Sequence, residues 1–408
     1  MRLHLSTKTK KIKQTISISG SKSESNRLLI LQQLIKGLEI ENLSDSDDSI
    51  HLEHALHTAD EIVDIGHAGT AMRFLTAYFA TKEHREVVLT GSERMQNRPI
   101  GILVEALQSL GAQIMYEDKI GYPPIRIIGK KLSKEKVQIN GNVSSQYISA
   151  LLLIGSSFPK GLEVELLGKI TSVPYIKMTI KLLNELGIVA VFNGNTIGVK
   201  PFKESVKSTI VVESDWSSAS YFYSIVALAE IGSQITLSSY KKDSLQGDSC
   251  LAEIYHHFGV ETMFENNTIT LTKTKFHQPE RLVLDLKNAP DIAQTIAVTC
   301  FGLNVGCTLI GLHTLKIKET DRLVALENEL TKLGAEIAIT DESLDLEEST
   351  TIHANITIET YNDHRMAMAF APLALKIPIT ILDAKVVTKS FRSFWENMQQ
   401  IGFQIKED

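Results

Sequence analysis

The sequence lacks an apolar run long enough to cross a membrane: the longest stretches, around 150–154 and 366–375, fall well short of the roughly 20 residues that a spanning helix needs. Cysteine is scarce. The three present, Cys250, Cys300 and Cys307, match neither a metal-ligand spacing nor a disulfide framework, which suits a reducing compartment. Positive charge is not in excess, since 42 Lys and Arg against 48 Asp and Glu leave a formal net charge of −6. That argues against non-specific nucleic-acid binding as the main activity, because such binding needs a basic surface. The segment Met1–Ser19 lacks the apolar centre and small-residue cleavage site of a signal peptide. His51, His54 and His57 lack the HExxH spacing and no second cluster accompanies them, so no metal site is expected. A cytoplasmic protein, away from membrane and nucleic acid, is the expectation.

What the chain has is repetition. A helix ending in Leu/Phe/Ile-Gly, followed by two short strands around a polar turn, appears as LVEALQSLGAQIMYED, LLNELGIVAVFNGNTIGV, AEIYHHFGVETMFENNTITL, ENELTKLGAEIAITDESLDL and NMQQIGFQIKED. Its glycines, Gly111, Gly187, Gly259, Gly334 and Gly402, recur at intervals of 68–76 residues. Interleaved with this piece is a helix apolar nearly all round, starting near Ser23, Thr70, Ser144, Ser217, Asp291 and Asp363, then a short alternating strand. Helices apolar on every face are buried ones.

Together these pieces describe an α/β chain of six units, three to a domain. The domains are expected at 14–210 and at 1–13 with 211–408; the change-over lies near 201–214, where Lys203, Glu204 and Lys207 break the apolar pattern. The first unit is short. No Gly turn and strand pair precede GHAGTAMR, so this unit is expected to have lost a hairpin.

The starts of the buried helices carry charge where a cap alone would suffice. GSKSESNR offers Lys22, Ser23 and Arg27; GHAGTAMR offers Gly69, Thr70 and Arg73; NVSSQ offers Ser144, Ser145 and Gln146; NAPD offers Asp291; NDHR offers Asp363, His364 and Arg365. Free N–H groups and the positive dipole end make a helix N-terminus an anion site, strengthened by nearby hydroxyls or cations. In KETDRL, Thr320 is expected to cap a helix starting near Asp321, with Glu319 between Lys318 and Arg322. The loop GSERMQNRP adds Arg94 and Arg98 on a segment that could close over a ligand. The expected ligands are phosphorylated or carboxylated small molecules.

GSKSESNR, GHAGTAMR, ERMQNRPIG, SSQYISALL, SVPY, DWSSAS, PDIAQTIA, KETDRL, YNDHRMAMAF and VTKSF stand in the order seen in the 5-enolpyruvylshikimate-3-phosphate synthase family. The chain resembles that family from about Ser19 to its end, and KETDR with NDHRMAM is the most specific part of the likeness. The resemblance implies two globular domains of three βαββαβ-type units each, an inverse α/β barrel whose buried helices point their N-termini into an interdomain cleft. The N-terminal strand would join the second domain. The implied reaction transfers the enolpyruvyl group of phosphoenolpyruvate to the 5-hydroxyl of shikimate 3-phosphate by addition and elimination, releasing phosphate. It requires no cofactor, and a monomer acting on small molecules is expected.

The resemblance also implies roles. Asp291 would accept a proton, Glu319 would handle the methylene proton, and Lys22 would lie near both substrates. Arg322 and Arg365 would hold the phosphoenolpyruvate carboxylate. Lys22, Arg94, Gln146 and Lys389 would surround its phosphate, with Gly69 allowing close backbone approach. Ser23 and Arg27 would take the shikimate carboxylate; Ser144, Ser145 and Ser172 its phosphate; Gln146 and Tyr175 its ring; Asp291 and Lys318 its hydroxyls. Thr314 would line the same pocket. His67, Phe74, Thr314 and Trp216 depart from residues common in the family. Two alternatives stand beside this reading. One is the sister transferase acting on UDP-N-acetylglucosamine, which usually carries a cysteine in the loop matching SERMQNRP. The other is a silent polyanion-binding scaffold, which the joint presence of Asp291 and Glu319 opposes.

Overall fold

The computed structural model describes residues 1–171, 173–205 and 207–408. The chain divides into two compact units, Gly20–Val212 and a second made of Met1–Ser19 with Glu213–Asp408. The expected limits at 13/14 and 210/211 therefore move to 19/20 and 212/213. The strand Lys13–Ile16 explains the first shift: it pairs in parallel with Gln234–Ser238, and that ladder holds the segment with the second unit.

Among the described residues, five of the six sheets share one plan. Two parallel strands lie side by side, with a buried helix entering the second of them, and an antiparallel pair of strands is added beyond, in four of the five as a hairpin. Ile62–Asp64 and Glu86–Thr90 form one such parallel pair, with Gln113–Tyr116 and Ile125–Ile128 as the hairpin. The pair Lys136–Asn140 and Leu162–Leu167 takes Ala190–Asn193 and Thr196–Val199 in the same way. Side chains alternate as a sheet with one buried face requires: along Leu162–Leu167, Leu162, Val164 and Leu166 are buried. The sixth sheet has only the parallel pair Leu38–Glu41 and Ser208–Val211, so among the described residues the first of the six repeats lacks the hairpin.

The second unit repeats the plan three times. One of its sheets closes through the chain's start, because Leu3–Thr7 lies between Ile379–Ile381 and Phe403–Glu407 and pairs antiparallel with both.

Inside each unit three buried helices pack on one another. They are Lys22–Leu34, Gly69–Thr81 and Ser145–Gly155 in the first, and Trp216–Leu228, Ala293–Leu303 and His364–Phe370 in the second. Ser23 and Thr70 fall one residue inside the observed starts, while Ser144 is itself the cap of its helix. The last of the six is short. It tightens into the turn Ala371–Leu375, where Pro372 has no N–H to continue an α-helical ladder. Among the described residues, no helix is long and apolar enough to cross a membrane.

Candidate functional site

In the second unit the three buried helices bring their starts together. Arg365, on the first turn of His364–Phe370, directs Nη2 to Ser217 Oγ at 3.3 Å and to Asp291 Oδ2 at 3.1 Å. Ser217 opens Trp216–Leu228, and Asp291 lies in the turn Pro290–Ile292 that leads into Ala293–Leu303. An arginine on one helix start therefore ties the other two.

Arg322, the first residue of Arg322–Lys332, is 1% exposed and meets three carboxylates. Its Nε donates to Asp363 at 2.6 Å, Nη1 to Asp291 at 2.9 Å and Nη2 to Glu319 at 2.8 Å. Asp321, not Thr320, caps this helix, accepting the N–H groups of Leu323 and Val324. A carboxylate at that position faces the positive end of the helix dipole, which a hydroxyl answers less strongly.

Lys318 Nζ stands 3.2 Å from Asp291 Oδ1, so Asp291 is approached by three cations. Burial pushes the Asp291 carboxyl up, but Arg365, Lys318 and Arg322 outweigh it and hold the group well below the usual carboxylate range. Burial pulls Arg365 down and is in turn outweighed by Asp291 and its neighbours. Arg365 Nε and Thr314 Oγ1 are buried without a hydrogen-bond partner. Buried donors and acceptors are normally paired, so these two suit an incoming polar group. Lys389 Nζ donates to the Asn362 carbonyl at 2.7 Å, one residue from Asp363.

In the first unit Arg27 is buried and forked. Its Nε donates to Thr179 Oγ1 at 2.7 Å, Nη1 to the Ser23 carbonyl at 2.6 Å, and Nη2 to Ser149 Oγ at 3.1 Å and the Tyr175 carbonyl at 3.4 Å. Its Cζ lies 5.5 Å from the centre of the Phe74 ring, so the departure at Phe74 packs against this guanidinium. Burial lowers Arg27 to about 10. Four of its five N–H groups serve the protein.

Around these groups, Ser144 caps Ser145–Gly155 and Ser145 is buried. Gln146 Nε2 reaches Thr70 Oγ1 at 3.3 Å, which joins two helix starts. Lys22 Nζ lies 3.9 Å from Asp48 Oδ1. Arg94 is on the exposed side of the short helix Glu93–Gln96. Arg98 approaches Gly69 instead: a Cβ there would come within 2.5 Å of Arg98 Nη1, the far end of an exposed side chain that could swing aside. His67 Nδ1 pairs with Ser92 Oγ at 2.7 Å. Ser172 lies outside the described residues.

Asp248 was not evident from the sequence as part of this cluster. It is buried, its carboxylate hydrogen-bonds to Ser217 Oγ, and burial with the nearby Asp291 raises it to about 6. The signal available was an acidic residue beside the glycine of SLQGDS, too common to single out. Trp216 is fully buried; its Nε1 donates to Glu213 at 2.8 Å and its backbone N–H to Gln246 at 2.9 Å. Among the described residues, no group of three or more His, Cys, Asp or Glu side chains is placed to hold a metal ion.

A family model for EPSP synthase (3-phosphoshikimate 1-carboxyvinyltransferase) matches residues 51–398. A 3-phosphoshikimate 1-carboxyvinyltransferase of Bacteroides fragilis is 45% identical over 400 residues, covering 97% of both chains. That of Haemophilus influenzae is 35% identical over 431 aligned positions, covering 96% of both. Among solved structures, an EPSP synthase of Acinetobacter baumannii superposes with a TM-score of 0.85 over 100% of both chains at 21% identity, a likeness of fold. With a match across most of its length and relatives this similar, the chain belongs to the EPSP synthase (3-phosphoshikimate 1-carboxyvinyltransferase) family.

Proposed function

We propose that the protein transfers the enolpyruvyl group of phosphoenolpyruvate to the 5-hydroxyl of shikimate 3-phosphate and releases phosphate. The observation that carries this reading is Asp291, a carboxylate ringed by Lys318, Arg322 and Arg365, with Glu319 on the same Arg322. In the addition step the 5-oxygen bonds to C2 of phosphoenolpyruvate, its proton passes to a base, and C3 takes a proton. Loss of a C3 proton and of the C2 phosphate then restores the double bond. One group must accept and another deliver protons, and the roles fall to Asp291 and Glu319. With its pKa held low, Asp291 is ionised but weakly basic while three cations attend it. Substrate anions that draw those cations away would raise its basicity at the moment it is needed.

The binding roles rest on the same logic. Arg322 and Arg365 are assigned to the phosphoenolpyruvate carboxylate, a planar anion that a guanidinium fork matches; the unpartnered Arg365 Nε supports this. Lys22, Arg94, Gln146 and Lys389 are assigned to the phosphate of phosphoenolpyruvate, which leaves, with Gly69 leaving room for backbone approach. Shikimate 3-phosphate is assigned to Ser23 and Arg27 through its carboxylate, and to Ser144, Ser145 and Ser172 through its phosphate. Gln146, Tyr175 and Thr314 would line its ring, and Asp291 and Lys318 would meet its hydroxyls. We extend the reading to a monomer in the cytoplasm, where a reducing milieu suits three free thiols.

The test is phosphate release from phosphoenolpyruvate with each of two acceptors. Release with shikimate 3-phosphate is expected. Release only with UDP-N-acetylglucosamine would assign the sister reaction, and binding of both substrates without release would assign a silent scaffold.

A further inference from the structure

The helix Arg322–Lys332 carries a second charged group on the face that begins with Arg322. Glu329, seven residues on, lies about two turns further along the same side. It is 0% exposed. A buried carboxylate must be satisfied, and three donor groups serve this one through four hydrogen bonds. Lys332 Nζ stands 2.8 Å from Oε1 and 3.0 Å from Oε2, the Glu359 N–H donates to Oε2 at 3.2 Å, and the Tyr361 hydroxyl donates to Oε1 at 2.7 Å. Burial and the bond to Glu329 raise the Tyr361 hydroxyl to about 12, so it remains a donor at neutral pH.

Tyr361 is also an unusual residue to find where it is. It and Asn362 have φ of 53° and 55°, two successive left-handed residues that are not glycine. Asparagine tolerates that conformation, but a bulky residue such as Tyr361 keeps it only where its surroundings hold it. The turn leads directly into the candidate site: the Asn362 carbonyl accepts Lys389, Asp363 Oδ2 accepts Arg322, and Asp363 Oδ1 caps the backbone of Arg365. One helix face therefore grips the segment 359–363 at both ends, Glu329 at Glu359 and Tyr361, and Arg322 at Asp363.

We propose that Glu329, acting through the Tyr361 hydroxyl, is a positioning residue for the phosphoenolpyruvate half of the site. It locks the left-handed turn and so sets the Asn362 carbonyl and the Asp363 carboxylate that place Lys389, Arg322 and Arg365. Nothing on Glu329 or Tyr361 need touch substrate. The effect should fall on phosphoenolpyruvate and spare shikimate 3-phosphate, whose assigned anchors are mainly in the other unit. This inference rests on the function proposed above.

The experiment compares wild type, Tyr361→Phe, Glu329→Gln and the double variant, with two readouts. In phosphate release, each single variant is expected to raise KM for phosphoenolpyruvate roughly tenfold, the scale of one hydrogen bond to a charged group. KM for shikimate 3-phosphate should move by less than about twofold, and the double variant should be no worse than the worse single one, as for two partners in one bond. In amide hydrogen exchange, protection at 361–365 should fall in both single variants while the buried helices keep theirs. Tyr361→Phe preserves the ring and decides alone if Glu329→Gln does not fold. Unchanged exchange at 361–365, or equal rises in both KM values, overturns the positioning role. Wild-type protein that releases no phosphate overturns the function instead, and the exchange readout then still judges the clamp.

Discussion

Arg322 Nε and Asp363 Oδ2 lie 2.6 Å apart, with both side chains almost wholly out of water. A buried pair of this kind is a weak source of net stability when intact but costly to break from one side, because the remaining charge keeps its desolvation penalty. Asp363→Ala removes one of three carboxylates from Arg322 and the cap of His364–Phe370. We expect a loss of about 3 kcal/mol or more in urea unfolding, with turnover falling as well. A midpoint within error of wild type would show that Asp291 and Glu319 suffice to compensate the guanidinium.

Asp291→Asn keeps the size of the side chain and removes the base. Phosphate release should fall by about 10²–10⁴, the usual worth of a positioned acid or base, while shikimate 3-phosphate still binds by calorimetry. Wild-type turnover in this variant would remove Asp291 from the mechanism.

Arg27→Lys keeps the charge and loses the fork that holds Thr179, Ser149, Ser23 and Tyr175 together. KM for shikimate 3-phosphate should rise on the order of 10-fold to 100-fold, with KM for phosphoenolpyruvate little changed. The pattern is the reverse of that expected at Tyr361, so the two variants together separate the two pockets.

Asp248 supplies a pH dependence. Its carboxyl moves from 3.8 to about 6 on folding, chiefly through burial, with Asp291 and Asp215 raising it and Arg365 and the Ser217 bond opposing. Between those values the folded protein holds a proton that the unfolded chain has lost. The contribution of this group to stability therefore falls as pH rises from about 4 to about 6 and levels off above. Asp248→Asn should remove that penalty, so its stability relative to wild type should grow from pH 4 to 7, by a limit on the order of 3 kcal/mol. Asp291 works in the opposite sense, contributing stability above its unfolded value that is lost as pH falls through its much lower folded one. Unfolding curves for both proteins at pH 4.5 and 7 give the comparison, and a pH-independent difference would contradict it.

Much of the architecture was legible because it is local. The Gly turns, the all-apolar helices and the alternating strands are short-range signals, and the missing hairpin showed as a gap in a repeat. Helix starts were legible to within a residue for most of the buried helices, since caps and apolar runs adjoin. The cap of Arg322–Lys332 was misplaced by one residue because Thr320 and Asp321 both carry oxygens that can accept, and sequence does not show which of them takes the free N–H groups. The limit at 13/14 failed for a different reason. The short strand KQTI owes its place to a partner about 220 residues away.

The same division runs through the candidate site. By itself the sequence determined which residues sit at helix starts, and therefore that Lys22, Gln146, Asp291, Arg322 and Arg365 would stand where free N–H groups favour anions, with Arg27 one turn further on. Only the tertiary structure decided that Arg322 is shared among Asp291, Glu319 and Asp363, that Asp248 joins them through Ser217, and that Glu329 holds the turn before Asp363. The reason is physical. A helix start is set by residues within one turn, whereas the charge state and direction of a buried side chain depend on distances of a few ångströms to groups far along the chain and on how much water remains between them.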